Sequence, residues 1–406
     1  MKKVSVLGLG YIGLPTAAFL AKSGYRVHGF DINKDVIHSL KAGRAHIQEP
    51  GLNEMVSDVV NRGLLFASNT LIESDIFIIC VPTPFEECND KKIPNLEFVK
   101  SAVEEIARVA KPGNLIILES TSPVGTTNLI RDILQNQHGL SNLLYAHCPE
   151  RVLPGNILYE LEFNNRVIGG IDSASSAASL EFYNSFSKGE LIITDAKSAE
   201  MVKLVENSFR DTNIAFANEI SMICDEEDIN VSQVIAIANK HPRVNVLDPG
   251  VGVGGHCIAV DPWFIISKHF ENSQLLQTSR LVNLKKTDWV TNKILAKITE
   301  LKDLSNSKIS VGIYGLTFKP KVDDIRESPA LKIANELSKH LQDIDLNCID
   351  PNLNSLNNLD LNLISIDESI VSTDLKIFLV KHSEFCEPKF KESVANHKIL
   401  DFCDIF

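Results

Sequence analysis

Cationic excess is missing from this chain: 40 lysines and arginines face 52 aspartates and glutamates, a formal charge of −12. Neither nucleic acid nor an anionic membrane gains from meeting a net acid, so both are excluded as partners and any anionic ligand must be held locally. No apolar stretch reaches the ~18 to 20 uninterrupted residues of a membrane span. The eight cysteines (80, 88, 148, 224, 257, 348, 386, 403) show no C-x-x-C pair and no metal-like spacing. They read as cytosolic thiols that mostly pack, with no metal site and no disulfide framework. Tryptophan is scarce, with two copies, and no repeat or low-complexity tract is found.

What is present is an ordinary folded composition, 44% hydrophobic and 23% charged, over 406 residues. At ~150 residues per domain that length predicts two or three domains. Lys2-Lys3 and the apolar run to Leu20 have the outline of a signal peptide. Gly8, Gly10, Gly13 and Pro15 interrupt the run, and a strand–helix rhythm continues straight out of it, so a cytoplasmic chain is expected.

Buried parallel strands are predicted in VSVLGLG, RVHGFDI, LLFAS, IFIICVP, NLIILES and NLLYAHC, alternating with segments of helical period such as LEFVKSAVEEIARVAKPG. RVIGG and GELIITD follow. From Ala196 a long helix is predicted, with more helix to about residue 302. KISVGIYGL, DLNCIDP, DLKIFLV and HKILDF then restore the strand rhythm around a crossover helix, ESPALKIANELSKHL. The expected architecture is α/β: two Rossmann-like doubly wound lobes (1–195 and 303–406) joined by a helical middle (196–302) with a long central helix.

The first lobe carries Gly8-x-Gly10-x-x-Gly13 between a strand and a helix, with Asp31 closing the next strand. Glycines allow backbone N–H groups close to a pyrophosphate at a helix N-terminus, and an acid at that distance accepts from a ribose 2′-OH. Asp31 would repel a 2′-phosphate, which favours NAD over NADP.

A second candidate lies in GVGVGGHCIAVDPWF, where Gly250, Gly252, Gly254 and Gly255 lead to Cys257. Most lone cysteines are core residues. Here the glycines bring backbone close to something, and donors exposed that way hold developing negative charge. Asp261 is placed to activate water or set the thiol's protonation; His256 reads either as a base or as a structural neighbour of the loop, the latter favoured. On the long helix Lys203, Asn207, Arg210 and Asn218 fall on or near one stripe, and asparagines there suggest polar partners. A dehydrogenase that also carries a nucleophilic thiol can hold an aldehyde as a thiohemiacetal, oxidise it to a thioester and release an acid.

These motifs, with VPTP (81–84), STSPVGT (120–126), CPERVLPG (148–155), KLVENSFRDTNIAFANE (203–219) and GLTFKPKVDDIRESP (315–329), resemble the UDP-glucose/GDP-mannose dehydrogenase family over essentially the whole chain. The resemblance implies that Cys257 is the nucleophile, Lys203 an acid/base group steadying the oxyanion, and Asn207 its neighbour. Asp261 and Glu150 would assist water and thioester hydrolysis. It assigns NAD to Gly8, Gly10, Tyr11, Ile12, Gly13, Asp31, Thr83, Thr121 and Arg326, and implies a homodimer built on the long helix. Within the family, NKHPRVN (239–245) is most similar to the branch acting on UDP-N-acetyl-D-mannosamine, a UDP-N-acetylhexosamine. That implies substrate contacts from Arg151, Val152, Lys203, Asn207, Arg210, His241, Arg243, Gly254, Phe318 and Lys319. Val251 departs from the branch, which usually has proline there. The same chemistry on UDP-N-acetylglucosamine or UDP-glucose, a silent nucleotide-sugar-binding protein and a one-step 3-hydroxyacid dehydrogenase are the rival readings. DDIRES reads as a surface charge cluster by composition alone, but the preceding GLTFKP, without a second G-x-G-x-x-G, suits a mononucleotide diphosphate.

Overall fold

The computed structural model describes residues 2–88, 91–304, 308–340, 344–356 and 360–406. The chain forms two compact units, one of residues up to Glu206 with Trp263–Ser267, the other of Asn207–Pro262 with Lys268–Phe406. Their boundary falls inside one helix.

In the first unit eight strands form one sheet: β1 (Lys3–Leu7), β2 (Arg26–Phe30), β3 (Leu65–Ser68), β4 (Ile76–Ile79), β5 (Leu115–Leu118), β6 (Leu144–His147), β7 (Arg166–Gly170) and β8 (Leu191–Asp195). Their order is β8-β7-β6-β5-β4-β1-β2-β3. Sequences such as IFII and LIIL are buried at every position because helices cover both faces. Alternation divides them: Val4, Val6 and Ile78 join the core on one face, Leu7, Phe77 and Ile79 that on the other. One pairing departs from the expected parallel sheet, since β6 and β7 run antiparallel. The chain returns after β6 through the short helix Ile157–Phe163 rather than by a crossover that would restore direction. The hairpin of Phe85–Cys88 with Lys91–Pro94 is also outside the expected pattern.

The helix α1 (Gly13–Lys22) follows β1, and α2 (Ala196–Glu226) is the long helix predicted. No glycine or proline interrupts α2. The second unit adds α3 (Val231–Ala238), α4 (Asp261–Lys268, shared with the first unit), α5 (Gln274–Asp303) and α6 (Pro329–His340). Its sheet of β9 (Ile309–Tyr314), β10 (Ile344–Ile349), β11 (Asn362–Leu363), β12 (Leu375–Phe378) and β13 (Lys398–Asp401) has the order β11-β10-β9-β12-β13. Every pairing in it is parallel, so a second doubly wound lobe does end the chain.

A buried ion pair joins α2 to α5. Arg280 Nη1 lies 2.6 Å from Asp211 Oδ1, with side chains only 3% and 1% exposed, and Asn283 Nδ2 donates to the same carboxylate at 2.8 Å. Burial raises the Asp211 carboxyl above its ordinary range despite the guanidinium. Removing the cation strands a buried acid, so Arg280→Ala is expected to destabilise the protein by about 3–5 kcal/mol. Urea unfolding checks it, as a lower midpoint at unchanged slope.

Candidate active site

The glycine fingerprint folds into the turn that a pyrophosphate needs. Gly8 has φ +87°, and a Cβ there would meet the Cys80 carbonyl oxygen at 2.8 Å; one on Gly13 would meet the Gly8 oxygen at 1.8 Å. Gly8 and Gly13 are therefore fixed by the chain's own packing. At Gly10 an added Cβ meets nothing within 4 Å, so the approach it permits is toward a ligand. Ile12 at the N-cap of α1 supplies no side-chain acceptor; Leu14 N–H already donates to the Gly10 carbonyl at 3.1 Å and Pro15 has no N–H, so Gly13 is the first-turn amide placed for a bound phosphate. Tyr11 and Ile12 are the intervening turn residues. Asp31 is held by two backbone donors, Leu9 N–H to Oδ2 at 2.9 Å and Asn33 N–H to Oδ1 at 2.8 Å. A carboxylate oxygen has lone pairs left for a diol after one such bond. Thr83 and Thr121, 38 residues apart, meet where the Thr83 hydroxyl donates to the Thr121 carbonyl at 2.6 Å. These residues fit NAD. Asp31→Asn is expected to relax discrimination against NADP, read from the ratio of dissociation constants for the two cofactors.

Glu150 sits just past β6, buried and clamped in the same unit. Its Oε1 accepts the Arg151 N–H at 2.7 Å, and its Oε2 lies 2.9 Å from Arg166 Nη1 at an angle poor for a hydrogen bond. A second buried acid shares that guanidinium's field. Glu119 accepts from Tyr183 OH at 2.8 Å and from Cys80 Sγ at 3.3 Å. Burial, reinforced by Glu150, pushes the Glu119 carboxyl up to about 7. Burial and the Glu150 charge disfavour the Glu119 carboxylate, while the Arg166 guanidinium and the Tyr183 and Cys80 donors favour it. Arg151 is tied by Glu206 at 2.7 Å and by the Asn165 carbonyl, while half-buried Val152 packs against the small cluster of Phe19, Ile157 and Leu161.

Half-buried Lys203 lies one turn before Asn207 on α2. It faces His147, whose ring is fully buried with neither nitrogen in a well-formed hydrogen bond; burial, then Lys203, pushes that imidazole down to about 3. No periodicity marks Glu119, just past β5, His147 at the end of β6, or Tyr183 in the serine-rich helix Ser173–Asn184.

In the second unit the cysteine, the acid and the asparagine come together. The Cys257 carbonyl accepts N–H bonds from Val260 at 3.0 Å and Asp261 at 2.8 Å. This turn delivers Asp261 as the first residue of α4. Asn207 Nδ2 donates to Asp261 Oδ2 at 2.5 Å, both side chains buried. The other α2 asparagines hold the glycine loop: Asn218 Oδ1 accepts from Gly250 N–H at 2.9 Å, and Asn213 Oδ1 from Leu247 N–H at 3.1 Å. Asn213 went unnoticed in the sequence because it lies off the stripe. Arg210, by contrast, is exposed, as are His241 and Arg243 on the turn after α3.

The glycines have a purpose different from the expected one. A Cβ on Gly254 would lie 2.5 Å from the Glu327 carbonyl oxygen and 2.7 Å from Pro329; one on Gly255 would lie 2.8 Å from the Phe318 ring; and one on Gly252 would lie 2.3 Å from the Thr287 hydroxyl. What approaches so closely is the chain's own 315–329 segment at Gly254 and Gly255, and Thr287 of α5 at Gly252. Two of the loop's amides are also occupied, Gly250 by Asn218 and Gly255 by the Arg326 carbonyl at 3.1 Å, so neither is free for a substrate oxyanion. Val251, where proline was expected, is buried in the core with Ile294 and Ala330, and its carbonyl accepts from Thr287.

A cavity of about 1000 Å³ lies in this unit, lined among others by Gly252, Lys286, Trp289, Phe318, Lys319 and Lys381. Lys286 Nζ stands 4.0 Å from the Trp289 ring centroid, and burial pushes its ammonium down to about 8. The turn above β9 repeats that above β1. Gly315 has φ +91°, and Asp350 accepts from Leu316 N–H at 2.8 Å and Asn352 N–H at 2.9 Å. In this copy, however, His382 Nε2 lies 3.3 Å from Asp350 Oδ2 and both side chains are fully buried. The acid that could receive a ribose is sealed by the chain, in keeping with a lobe that lacks the dinucleotide fingerprint.

Comparison with known proteins agrees with this geometry. Residues 2–187 match the NAD-binding domain of the UDP-glucose/GDP-mannose dehydrogenase family, residues 197–285 its central domain and residues 312–406 its UDP-binding domain. A UDP-N-acetyl-D-mannosamine dehydrogenase of Campylobacter jejuni is 45% identical, with 99% of each chain covered. One from Methanococcus vannielii is 46% identical over 97% of this chain and 89% of its own. Among solved structures, the UDP-D-ManNAc dehydrogenase of Pyrococcus horikoshii superposes with a TM-score of 0.90 at 36% identity, covering 100% of this chain and 96% of its own. The UDP-N-acetyl-mannosamine dehydrogenase of Staphylococcus aureus gives 0.87 at 41%, covering 99% and 95%. The chain belongs to the UDP-glucose/GDP-mannose dehydrogenase family.

Proposed function

We propose that this protein is an NAD-dependent UDP-N-acetyl-D-mannosamine 6-dehydrogenase, which oxidises the C6 primary alcohol by four electrons to UDP-N-acetyl-D-mannosaminuronate. The observation that carries the reading is the grouping of Cys257, Asp261 and Asn207 in a chain so similar to enzymes of that name. NAD, when bound, accepts a hydride in each of the two oxidations.

The chain's own residues do the rest. Gly10, the first turn of α1 and Asp31 bind and orient the cofactor, with Thr83, Thr121 and Arg326 as further cofactor residues. Lys203 takes the proton from the C6 hydroxyl and then, as the ammonium, steadies oxygen's negative charge. Cys257 Sγ adds to the aldehyde carbon, so that the substrate is held covalently between its two oxidations. After the second, C6 is a thioester carbon. Asp261, oriented by Asn207, takes a proton from the attacking water, and Glu150 assists; the C6–Sγ bond then breaks and the acid leaves. The cavity beside Phe318 and Lys319 is of a size for a nucleotide sugar, and those two residues with Arg151, Val152, Arg210, His241, Arg243 and Gly254 make up the proposed substrate contacts. The three family domains support the three-part division at 195/196 and 302/303.

A homodimer is part of the same reading. Phe209, Phe216 and Ile223 recur every seven residues on α2 and are each about half exposed or more, a stripe suited to a second copy. Among the described residues no helix is long and apolar enough to cross a membrane, and the seven cysteines with described side chains are free. These support placement in the cytoplasm.

The test is a count of NADH per sugar with UDP-N-acetylmannosamine, UDP-N-acetylglucosamine and UDP-glucose. The expected result is about two NADH per uronate, with the mannosamine sugar turned over fastest. One NADH per sugar ends the four-electron reading, and preference for another sugar moves the substrate assignment.

A further inference from the structure

Around its central strand the second lobe repeats the first residue by residue. Leu7 closes β1 beside Ile79 of β4, and Tyr314 closes β9 beside Phe378 of β12. A glycine of positive φ follows each, Gly8 and Gly315. The next N–H then donates to an acid just past the neighbouring strand, Leu9 to Asp31 and Leu316 to Asp350. One residue further on, Thr317 stands where the first lobe has Gly10; four residues past the paired strand, His382 stands where it has Thr83. Two positions that the first lobe gives to the cofactor thus carry larger polar side chains here.

Those side chains meet at the acid. His382 Nε2 lies 3.2 Å from Thr317 Oγ1 and 3.3 Å from Asp350 Oδ2, and Thr317 Oγ1 is 3.3 Å from the same carboxylate oxygen. Thr317 and His382 are fully buried. Asn352 Nδ2 donates to His382 Nδ1 at 2.9 Å, which puts the ring proton on Nε2, toward Thr317 and Asp350. The Thr317 hydroxyl in turn donates to the Lys319 carbonyl at 3.0 Å. Burial opposes the Asp350 charge, but the His382 ring and the backbone donors outweigh it and hold the carboxyl below its ordinary range. A Cβ at Gly10 would meet no protein atom, whereas the side chain of Thr317 itself reaches the acid. A hydroxyl and a ring N–H give Asp350 what a ribose diol would give Asp31.

We propose that Thr317 and His382 are positioning residues of the nucleotide-sugar site: they take the place of a ribose beside Asp350, which closes this lobe to a dinucleotide, and use it to fix the turn that presents Phe318 and Lys319 to a uridine diphosphate. The role rests on the reading of Phe318 and Lys319 as substrate contacts. Thr317, Phe318 and Lys319 follow one another along the wall of the 1000 Å³ cavity, with Lys381, the neighbour of His382, on the same wall. A turn tied from inside by its own hydroxyl reaches the ligand already ordered, and so loses less freedom on binding.

The test uses UDP itself as the probe, which needs neither hydride transfer nor Cys257. Thr317→Val keeps the shape of the side chain and removes the hydroxyl. Calorimetry on the full-length enzyme should show UDP bound about tenfold more weakly, the scale of one lost buried hydrogen bond. KM for UDP-N-acetylmannosamine should rise in parallel while kcat stays within about twofold, the pattern of lost uniform binding. Thr317→Ser restores the hydroxyl and should return UDP affinity to within about threefold of wild type. His382→Phe keeps a ring and removes its N–H; it should weaken UDP in the same direction, with NAD affinity unchanged. Wild-type enzyme should take up about one NAD per chain, since only the first lobe keeps the dinucleotide turn. UDP affinity equal to wild type in both Thr317→Val and His382→Phe overturns the proposal, as does a loss in Thr317→Ser as large as that in Thr317→Val; a second NAD per chain overturns the closure. Failure of the underlying reading looks different: wild-type protein itself then binds no UDP.

Discussion

Cys257→Ala is expected to cut uronate formation by more than about a thousandfold, the scale on which loss of a covalent nucleophile acts, while NAD affinity stays within about twofold of wild type. The reason lies in which residues serve which ligand. The cofactor residues of the first unit depend on the β1 turn and on the Thr83–Thr121 bond, neither of which involves the thiol. Cys257 is half-buried at the start of the turn into α4, so replacing its sulfur by hydrogen leaves the backbone bonds to Val260 and Asp261 intact. What disappears is the covalent hold on the aldehyde. Calorimetry with NAD beside product analysis checks both halves, and loss of cofactor affinity would make the cysteine structural.

Gly13→Ala should have the opposite profile. The new Cβ would lie 1.8 Å from the Gly8 oxygen and 3.1 Å from Cys80 Cβ, and backbone cannot yield as a flexible side chain does. The β1 turn must open, and NAD affinity is expected to fall by about a hundredfold or more, on the order of 2.7 kcal/mol. Labelling of Cys257 by iodoacetamide should be unchanged. Gly10→Ala provides the contrast, since the added methyl meets no protein atom. Its melting temperature should match wild type, so that any weakening of NAD reports the ligand alone. Calorimetry and a thermal melt separate the two variants.

Much of this was legible along the chain. Strands such as IFII announce themselves because burial on both faces removes every polar residue, and the Gly8–Gly10–Gly13–Asp31 spacing reads as a cofactor turn because each residue answers a local demand. The Cys257–Asp261 relation was legible as one helical turn. Contacts between distant segments were not. The four glycines before Cys257 pointed to a close approach, yet only the fold shows that Phe318, Glu327 and Pro329 are what approaches. The reversal at β7, the sealing of Asp350 by His382 and the burial of Glu119 beside Glu150 likewise join residues that no periodicity links. Asp324, 68 positions after His256, is placed beside that ring only by the fold.

The central claim is that the sugar becomes covalently attached to Cys257 during turnover. The most direct measurement is mass spectrometry of enzyme quenched in mid-reaction under acid conditions that preserve a thioester. The account predicts a Cys257 peptide heavier by the UDP-N-acetylmannosaminuronyl group, or by its sugar fragment, in wild-type protein and in Asp261→Asn, where slower hydrolysis should let more of it accumulate. An unmodified peptide, together with uronate forming at full rate in Cys257→Ala, would contradict it.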